Sequence, residues 1–372
     1  MHDLIVFGED FGGLPSSTQH IVKLLSHNRK VLWINSIGLR KPRLSKKDTL
    51  RVFKKLISRS GSKHTYSDTS DSRAENITVA NIKTIPAPKY AWERSIAKRI
   101  MLHQLRPLIK RLKLENPILW TSLPTASDLC GELNESGVVY YCGDDFGALA
   151  GVDHSTVLEH EYQLARSSNL ILVASDAIRL KFPASKTLLV RHGVDYSLFS
   201  TPVERANDLP VGKPIVGFYG SLSEWLDLSF IQDVANAKPD WDFVFIGPQE
   251  RPVPELAALN NVHLLGPRPH HQLPQYSQHW QMSWLPFKNN AQIKACSPLK
   301  LMEYIATGTP IAATQFDATK PYCHQINEVH RSDDMIALLD QPARWICPDR
   351  NSVKEDSWHQ RAQFVDWLLE LL

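Results

Sequence analysis

Lys300 and Glu303 are the side chains whose types and spacing most directly imply chemistry. They lie in Ser297-Pro298-Leu299-Lys300-Leu301-Met302-Glu303-Tyr304-Ile305-Ala306-Thr307-Gly308-Thr309-Pro310, where helical periodicity puts a cation and a carboxylate on one face. Leu299, Met302, Ile305 and Ala306 supply a stripe to bury, Gly308 stands where a helix C-cap belongs, and Pro310 prevents continuation. A compact positive charge meets a diphosphate, and a carboxylate one turn away accepts ribose hydroxyls, so the pair suits a nucleotide sugar. Ser297, Leu299, Lys300 and Glu303 are therefore expected on the donor side.

Two upstream segments extend this expectation. Ile215-Val216-Gly217-Phe218-Tyr219-Gly220-Ser221-Leu222-Ser223 reads as a strand ending in a Gly-Ser turn before a helix, so Gly220, Ser221 and Leu222 are expected to offer backbone N–H groups to the diphosphate at a helix N-terminus. In Val262-His263-Leu264-Leu265-Gly266-Pro267-Arg268, Arg268 is expected near the base or phosphates, and His270-His271 read as surface residues. Asp240-Trp241-Asp242 precedes its apolar run, which makes it the start of a strand, and no metal is expected. In Val138-Val139-Tyr140-Tyr141-Cys142-Gly143-Asp144-Asp145, two carboxylates follow a buried strand. Transfer of a sugar to a hydroxyl needs a base there, for which Asp144 and Asp145 are the candidates, with helix N-capping before Phe146 as the alternative role.

The Lys300 segment resembles the donor-site helix of GT-B glycosyltransferases, in the P-x-K-x-x-E-Y version found in bacterial polysaccharide-assembly enzymes. The Gly220 turn and the Val262 segment are similar to the same family's diphosphate turn and nucleobase strand. Tyr140 to Asp144, with His192-Gly193-Val194-Asp195 and Leu299 to Tyr304, resembles an inverting, membrane-associated glucuronosyltransferase family of exopolysaccharide synthesis. That match implies Asp144 as base, Lys300 as the leaving-group cation and His192 as a possible donor contact. Retaining relatives carry a second glutamate where this chain has Ala295, and usually an Arg or Lys pair after the turn, which is absent from Ser221 to Leu226. The first loop of such enzymes lines the acceptor side, making Ser16, Ser17 and His20 acceptor candidates.

Short β-branched runs must position these groups. Leu4–Phe7, Val31–Asn35, Ile77–Ala80, Ile118–Ser122, Val138–Cys142, Leu170–Ser175 and Leu188–Arg191 are expected as one sheet; Pro214–Tyr219, Phe243–Gly247, Val262–Gly266, Met282–Phe287 and Ile311–Thr314 as another. The implied fold class is α/β, GT-B: two Rossmann-like doubly wound domains facing a central cleft. The expected boundaries are 1–198 for an acceptor domain, 199–213 for a linker, 214–352 for a nucleotide-sugar donor domain and 353–372 for a helix returning to the first domain. On that tail Trp358, Phe364, Trp367, Leu368 and Leu371 are expected on one side.

At 372 residues, 43% hydrophobic and 22% charged, the chain reads as globular, and no apolar run approaches a membrane span. Met1 leads straight to Leu4-Ile5-Val6-Phe7 without signal-peptide features, so a cytoplasmic location is expected. Five cysteines without C-x-x-C spacing indicate neither disulfides nor zinc. The net charge of +3 hides an asymmetry: residues 1–113 hold 23 basic and 8 acidic residues, the remainder 19 and 31. The excess is densest in 40–63, where Leu50, Phe53, Leu56 and Ile57 recur among Lys46, Lys47, Arg51, Lys54 and Lys55. This predicts a basic amphipathic helix on the inner face of a membrane, or one packed on its own domain; no nucleic-acid module accompanies it. The expected activity is transfer of a hexosyl or glucuronosyl group from a nucleotide-diphosphate sugar such as a UDP-sugar to a saccharide or polyprenyl-linked saccharide, with inversion and without a cofactor. A retaining transferase, a nucleotide-sugar epimerase and a non-catalytic sugar-nucleotide-binding subunit are the alternatives.

Overall fold

The computed structural model describes residues 1–13, 16–36, 76–86, 88–148, 154–290, 293–294 and 299–372. The expected basic helix in 40–63 and the positions of Ala295 and Ser297 lie outside the described residues. The chain divides into two compact units: 1–174 with 178–189 and 362–372, and 175–177 with 190–361.

In the first unit, β1 (Leu4–Phe7), β2 (Val31–Ile34), β3 (Ile77–Ala80), β4 (Ile118–Thr121), β5 (Gly137–Cys142), β6 (Leu170–Val173) and β7 (Thr187–Leu189) form a parallel sheet in the order β3-β2-β1-β4-β5-β6-β7. Its central strands are continuous apolar runs because helices cover both faces, so every residue of β1, β2, β4, β5 and β6 is buried. Helix α1 (Ser17–Leu25) follows β1 and is capped by Ser16, whose hydroxyl accepts from the Gln19 N–H. Helix α2 (Ala91–Leu112) opens with Glu93 reaching back to the Lys89 and Tyr90 N–H groups, at 2.8 and 3.2 Å. Helix α3 (His154–Ser167) leads into β6.

In the second unit, β8 (Ile215–Tyr219), β9 (Asp242–Ile246), β10 (Val262–Gly266), β11 (Met282–Leu285), β12 (Ile311–Ala313) and β13 (Asn327–Glu328) are parallel in the order β10-β9-β8-β11-β12-β13. Helices α4 (Leu228–Ala237), α5 (Leu299–Thr307) and α6 (Ser332–Leu339) accompany them. Helix α5 ends as its sequence dictates: Gly308 has φ +77°, and its N–H returns to the Ile305 carbonyl. In both sheets the strand order reverses beside the first strand, between β1 and β4 and between β8 and β11. A doubly wound sheet opens a ligand crevice at the carboxyl ends of such a pair.

Two expectations need correction. Segment 199–213 is not strung out as a linker. Ala206 and Leu209 are buried, and the Ala206 N–H bonds the Gln275 carbonyl at 3.0 Å, so its prolines and polar groups serve a packed loop of the second unit. The final helix, α7 (Trp358–Leu369), buries Trp358, Ala362, Val365, Leu368 and Leu369, while Phe364, Trp367 and Leu371 fall on the opposite side and are exposed. Positions 364, 367 and 371 are about half a turn from 358, 362 and 365 at 100° per residue, so the five named apolar residues share no face. The buried Arg29 guanidinium anchors this helix in the first unit through Asp366 and Glu370, the latter at 3.0 Å.

Candidate active site

The switch point of the second unit is occupied by Lys300. Its Nζ stands 5.4 Å from the ring centre of Phe218 on β8 and 5.7 Å from that of Phe287, just past β11. The aromatic faces hold the ammonium at the carboxyl ends of the two strands by cation–π attraction. Gly220 makes the seat: a Cβ there would lie 2.9 Å from Lys300 Cε and 3.0 Å from Nζ, and the residue has φ +141°. Gly247 is required behind it, because a Cβ at that position would come within 2.0 Å of the Gly220 carbonyl oxygen.

One turn along α5, Glu303 is buried and clamped. Tyr219 Oη donates to Glu303 Oε2 at 2.7 Å, and His270 Nε2 lies 2.6 Å from Oε1. Burial first, and then the Glu303 charge, push the Tyr219 phenol well above its ordinary range, which keeps the proton in that bond. Tyr304, next in sequence, accepts the Tyr219 N–H on its hydroxyl at 3.0 Å and locks α5 to β8.

The turn after β8 differs from expectation. The Gly220 N–H donates to the Ile246 carbonyl at 2.8 Å and the Leu222 N–H to the Pro248 carbonyl at 2.9 Å, so these two amides extend the sheet and do not await a phosphate. Ser221, between them, has no hydrogen bond to a described residue. The following helix starts only at Leu228, and the carboxylate of Asp227 caps it by accepting from the Phe230 N–H, which leaves no anion site at that N-terminus. Arg268 is likewise committed elsewhere: it bonds Asp208 at 2.5 Å, the Tyr276 hydroxyl at 3.0 Å and the Pro267 carbonyl at 3.0 Å. His270, expected at the surface, is instead the partner of Glu303. His192 packs against Trp358, with ring centres 6.5 Å apart, and Asp195 caps the turn at Tyr196.

At the carboxyl edge of the first sheet, Asp144 and Asp145 follow β5. Asp145 is tied down by Lys181 at 2.7 Å and by the Gly147 N–H at 3.0 Å. Lys181 also reaches the buried Glu161, which accepts from Tyr140 Oη at 2.9 Å. Asp144 makes no side-chain hydrogen bond to a described residue. It keeps exposed surface although protein atoms crowd its carboxyl densely. Burial, then the charges of Glu9 and Asp145, push its pKa up to about 6. Its access to water tempers the burial contribution, whereas repulsion from the two acids persists. Ser16 donates to Glu9 at 3.0 Å, Ser17 bonds the Tyr141 hydroxyl, and His20 continues the same helix half-buried. The structure therefore gathers Glu9, Ser16, Ser17, Tyr141 and Asp144 along one edge.

Asp242 begins β9 and pairs with His263 at 3.0 Å, at the amino end of its strand and away from the ligand edge. Among the described residues no group of three or more His, Cys, Asp or Glu is placed to hold a metal, and no helix is long and apolar enough to cross a membrane.

Comparison with known proteins bears on this geometry. Residues 213–340 match the family described as Glycosyl transferases group 1. The chain is 28% identical over 270 residues to the putative teichuronic acid biosynthesis glycosyltransferase TuaH of Bacillus subtilis, covering 64% of this chain and 68% of that protein. Residues 213–340 thus carry a group 1 glycosyl transferase domain, in a chain of GT-B fold. Its fold is shared with Anabaena Alr3699/HepE, solved in complex with UDP-glucose, at TM-score 0.70 and 12% identity with complete coverage of both chains. The lipopolysaccharide outer core galactosyltransferase WaaB matches at TM-score 0.60 and 11% identity, again over both whole chains. The group 1 match contains Lys300, Glu303, Tyr219, Gly220 and His270, all groups assembled at the second switch point.

Sequence reasoning missed Tyr219, Gly247, His270 and Glu9 as members of these edges. Glu9 had a usable signal, an acid two residues past the first strand. His270 had none, since its partner lies 33 residues away.

Proposed function

We propose that the protein transfers a sugar from a nucleoside-diphosphate sugar, a UDP-sugar, to a saccharide or lipid-linked saccharide in bacterial cell-surface polysaccharide assembly, with inversion and without a metal. The observation that carries this reading is Lys300, a cation held over two rings at the switch point with the clamped Glu303 one turn away. The TuaH relative is named for teichuronic acid synthesis and the HepE structure contains UDP-glucose, which favours the same substrate class here. In the proposed step the acceptor oxygen bonds to the anomeric carbon while the bond from that carbon to the phosphate oxygen breaks. Asp144 takes the acceptor proton, and the diphosphate leaves with the bonding pair, its growing charge met by Lys300 and the Ser221 amide. Glu303, a carboxylate one turn along the same helix, receives the ribose hydroxyls.

Replacement of Asp144 by Asn keeps the shape and removes the base. Turnover should fall by roughly 10²–10⁴ while UDP affinity is unchanged. NMR of the product should give an anomeric configuration opposite to the donor's. Retention, or an Asp144→Asn enzyme of near-normal turnover, moves the protein to the retaining alternative.

A further inference from the structure

The outer surface of α2 carries what a solvated helix face avoids. Trp92, Ile96 and Ile100 are 62%, 42% and 38% exposed, and Tyr90, just before the helix, is 57% exposed. At 100° per residue, positions 92, 96, 99, 100, 103, 106 and 110 fall within an arc of about 120°. That arc therefore combines the apolar residues with Arg99, His103, Arg106 and Lys110, all exposed. The single acid of α2, Glu93, is buried in its capping role. Arg106 has only a loose ion pair, 3.9 Å from Glu132.

Helix α3 carries its own exposed residues. Arg94, on the side of α2 opposite that arc, reaches Glu159 and Gln163 of α3, and His160 bonds the Pro88 carbonyl just before α2. Leu158 and Tyr162 on α3 are 41% and 67% exposed, with Arg166 over the Tyr162 ring. Glu159, the acid beside them, is neutralised by Arg94. Apolar residues scattered singly are ordinary on a surface; three on one arc of a helix, interleaved with basic groups, are not. The cations have no role at the carboxyl edge of this unit, which bears Glu9, Asp144 and Asp145. Aromatic rings beside positive charge suit the headgroup level of an anionic bilayer.

We propose that the outer face of α2 docks the protein on an anionic membrane, with Trp92, Ile96 and Ile100 entering the interface. This deepens the lipid-linked acceptor reading and locates the contact outside residues 40–63. The test is sedimentation with vesicles of equal parts phosphatidylglycerol and phosphatidylcholine, against vesicles of phosphatidylcholine alone. Wild type should bind the anionic vesicles and release at high salt. Trp92→Ser with Ile96→Ser, both exposed positions that leave the fold intact, should lower the partition at least about tenfold. Arg99→Gln with Lys110→Gln should do likewise, and Phe364→Ser with Trp367→Ser should bind as wild type. Equal binding by wild type and the Trp92/Ile96 variant overturns the proposal. So does a wild type that ignores anionic vesicles but elutes as a dimer which the Trp92/Ile96 variant abolishes, since the occupant is then a second copy. UDP affinity, measured on every variant, separates this failure from failure of the transferase reading, because none of these residues belongs to either sheet edge.

Discussion

Changing Lys300 to Met separates a catalytic cation from a packing residue. Methionine keeps an unbranched chain over Phe218 and Phe287, and its sulfur recovers about 0.3–1.5 kcal/mol of aromatic contact. At the two rings the loss is a cation–π attraction of about 0.5–1 kcal/mol per ring. The two nearly cancel, so the thermal midpoint of the free protein should move by no more than a few degrees. Ligand binding has no such compensation. A hydrogen bond between the ammonium and a diphosphate oxygen contributes about 1.5–3 kcal/mol, which corresponds to a UDP dissociation constant roughly 10–150 times weaker. In the transition state the leaving oxygen gains charge, and loss of a donor aimed at such charge costs about 2.7–4 kcal/mol, or roughly 10²–10³ in kcat. Calorimetric titration with UDP, turnover by UDP release and thermal melts with and without UDP read the three quantities. A variant with wild-type UDP affinity and turnover would make Lys300 a mere cover for two rings. A variant that melts far lower without UDP would make it structural. Either result refutes the assignment.

The raised pKa of Asp144, about 6, sets a pH dependence: activity should climb as pH rises through 6 and then level, and Asp144→Asn should flatten that limb. The stability sign is opposite, because between the ordinary carboxylate value and 6 the folded state holds the proton more tightly than the unfolded one. This contribution therefore declines as pH rises across that window, and the Asn variant should lack the decline in chemical denaturation. A methyl added at Gly247 would meet the Gly220 backbone at 2.0 Å, whereas one at Gly266, also at positive φ, has open space around it. Gly266→Ala should cost about 1 kcal/mol of conformational strain, and Gly247→Ala clearly more, with weakened UDP binding as the Lys300 seat shifts. Equal melting points and equal UDP affinities would show that the two strand ends are not coupled.

Much of this molecule was legible because parallel strands covered on both faces are written as local apolar runs. Leu4–Phe7, Ile77–Ala80 and Val262–Gly266 stand where the runs place them, and the other nine expected strands differ only at their ends. β13 was not legible: Asn327–Glu328 is two polar residues long and exists only because Ala312 and Ala313 offer an edge to pair with. The donor helix was readable for the same local reason, since Lys300, Glu303 and Gly308 take their relation from helical geometry alone. The turn after β8 was not. Whether the amides of Gly220 and Leu222 face a ligand or a neighbouring strand depends on Ile246 and Pro248, some 26 residues downstream. Arg268 failed similarly, because its partner Asp208 sits in a segment whose composition looked like a tether.

The two sheets solve one topological problem with opposite charge. Each reverses beside its first strand, and each hangs charged groups just past a carboxyl end: Glu9 and Asp144 after β1 and β5, Lys300 over the ends of β8 and β11. The signs fit the two halves of sugar transfer, since removing a proton needs a carboxylate and releasing a diphosphate needs a cation. Placing them on separate frames also lets each be tuned by its own neighbours. The like charges of Glu9 and Asp145 raise the basicity of Asp144, which adjacent cations would lower, and Lys181 is spent on Asp145 and Glu161 instead. Aromatic faces lie beside the Lys300 ammonium and attract it. A carboxylate introduced at Phe218 or Phe287 would pair with Lys300 and weaken its hold on a diphosphate, and because both positions are buried it would cost the sheet stability as well.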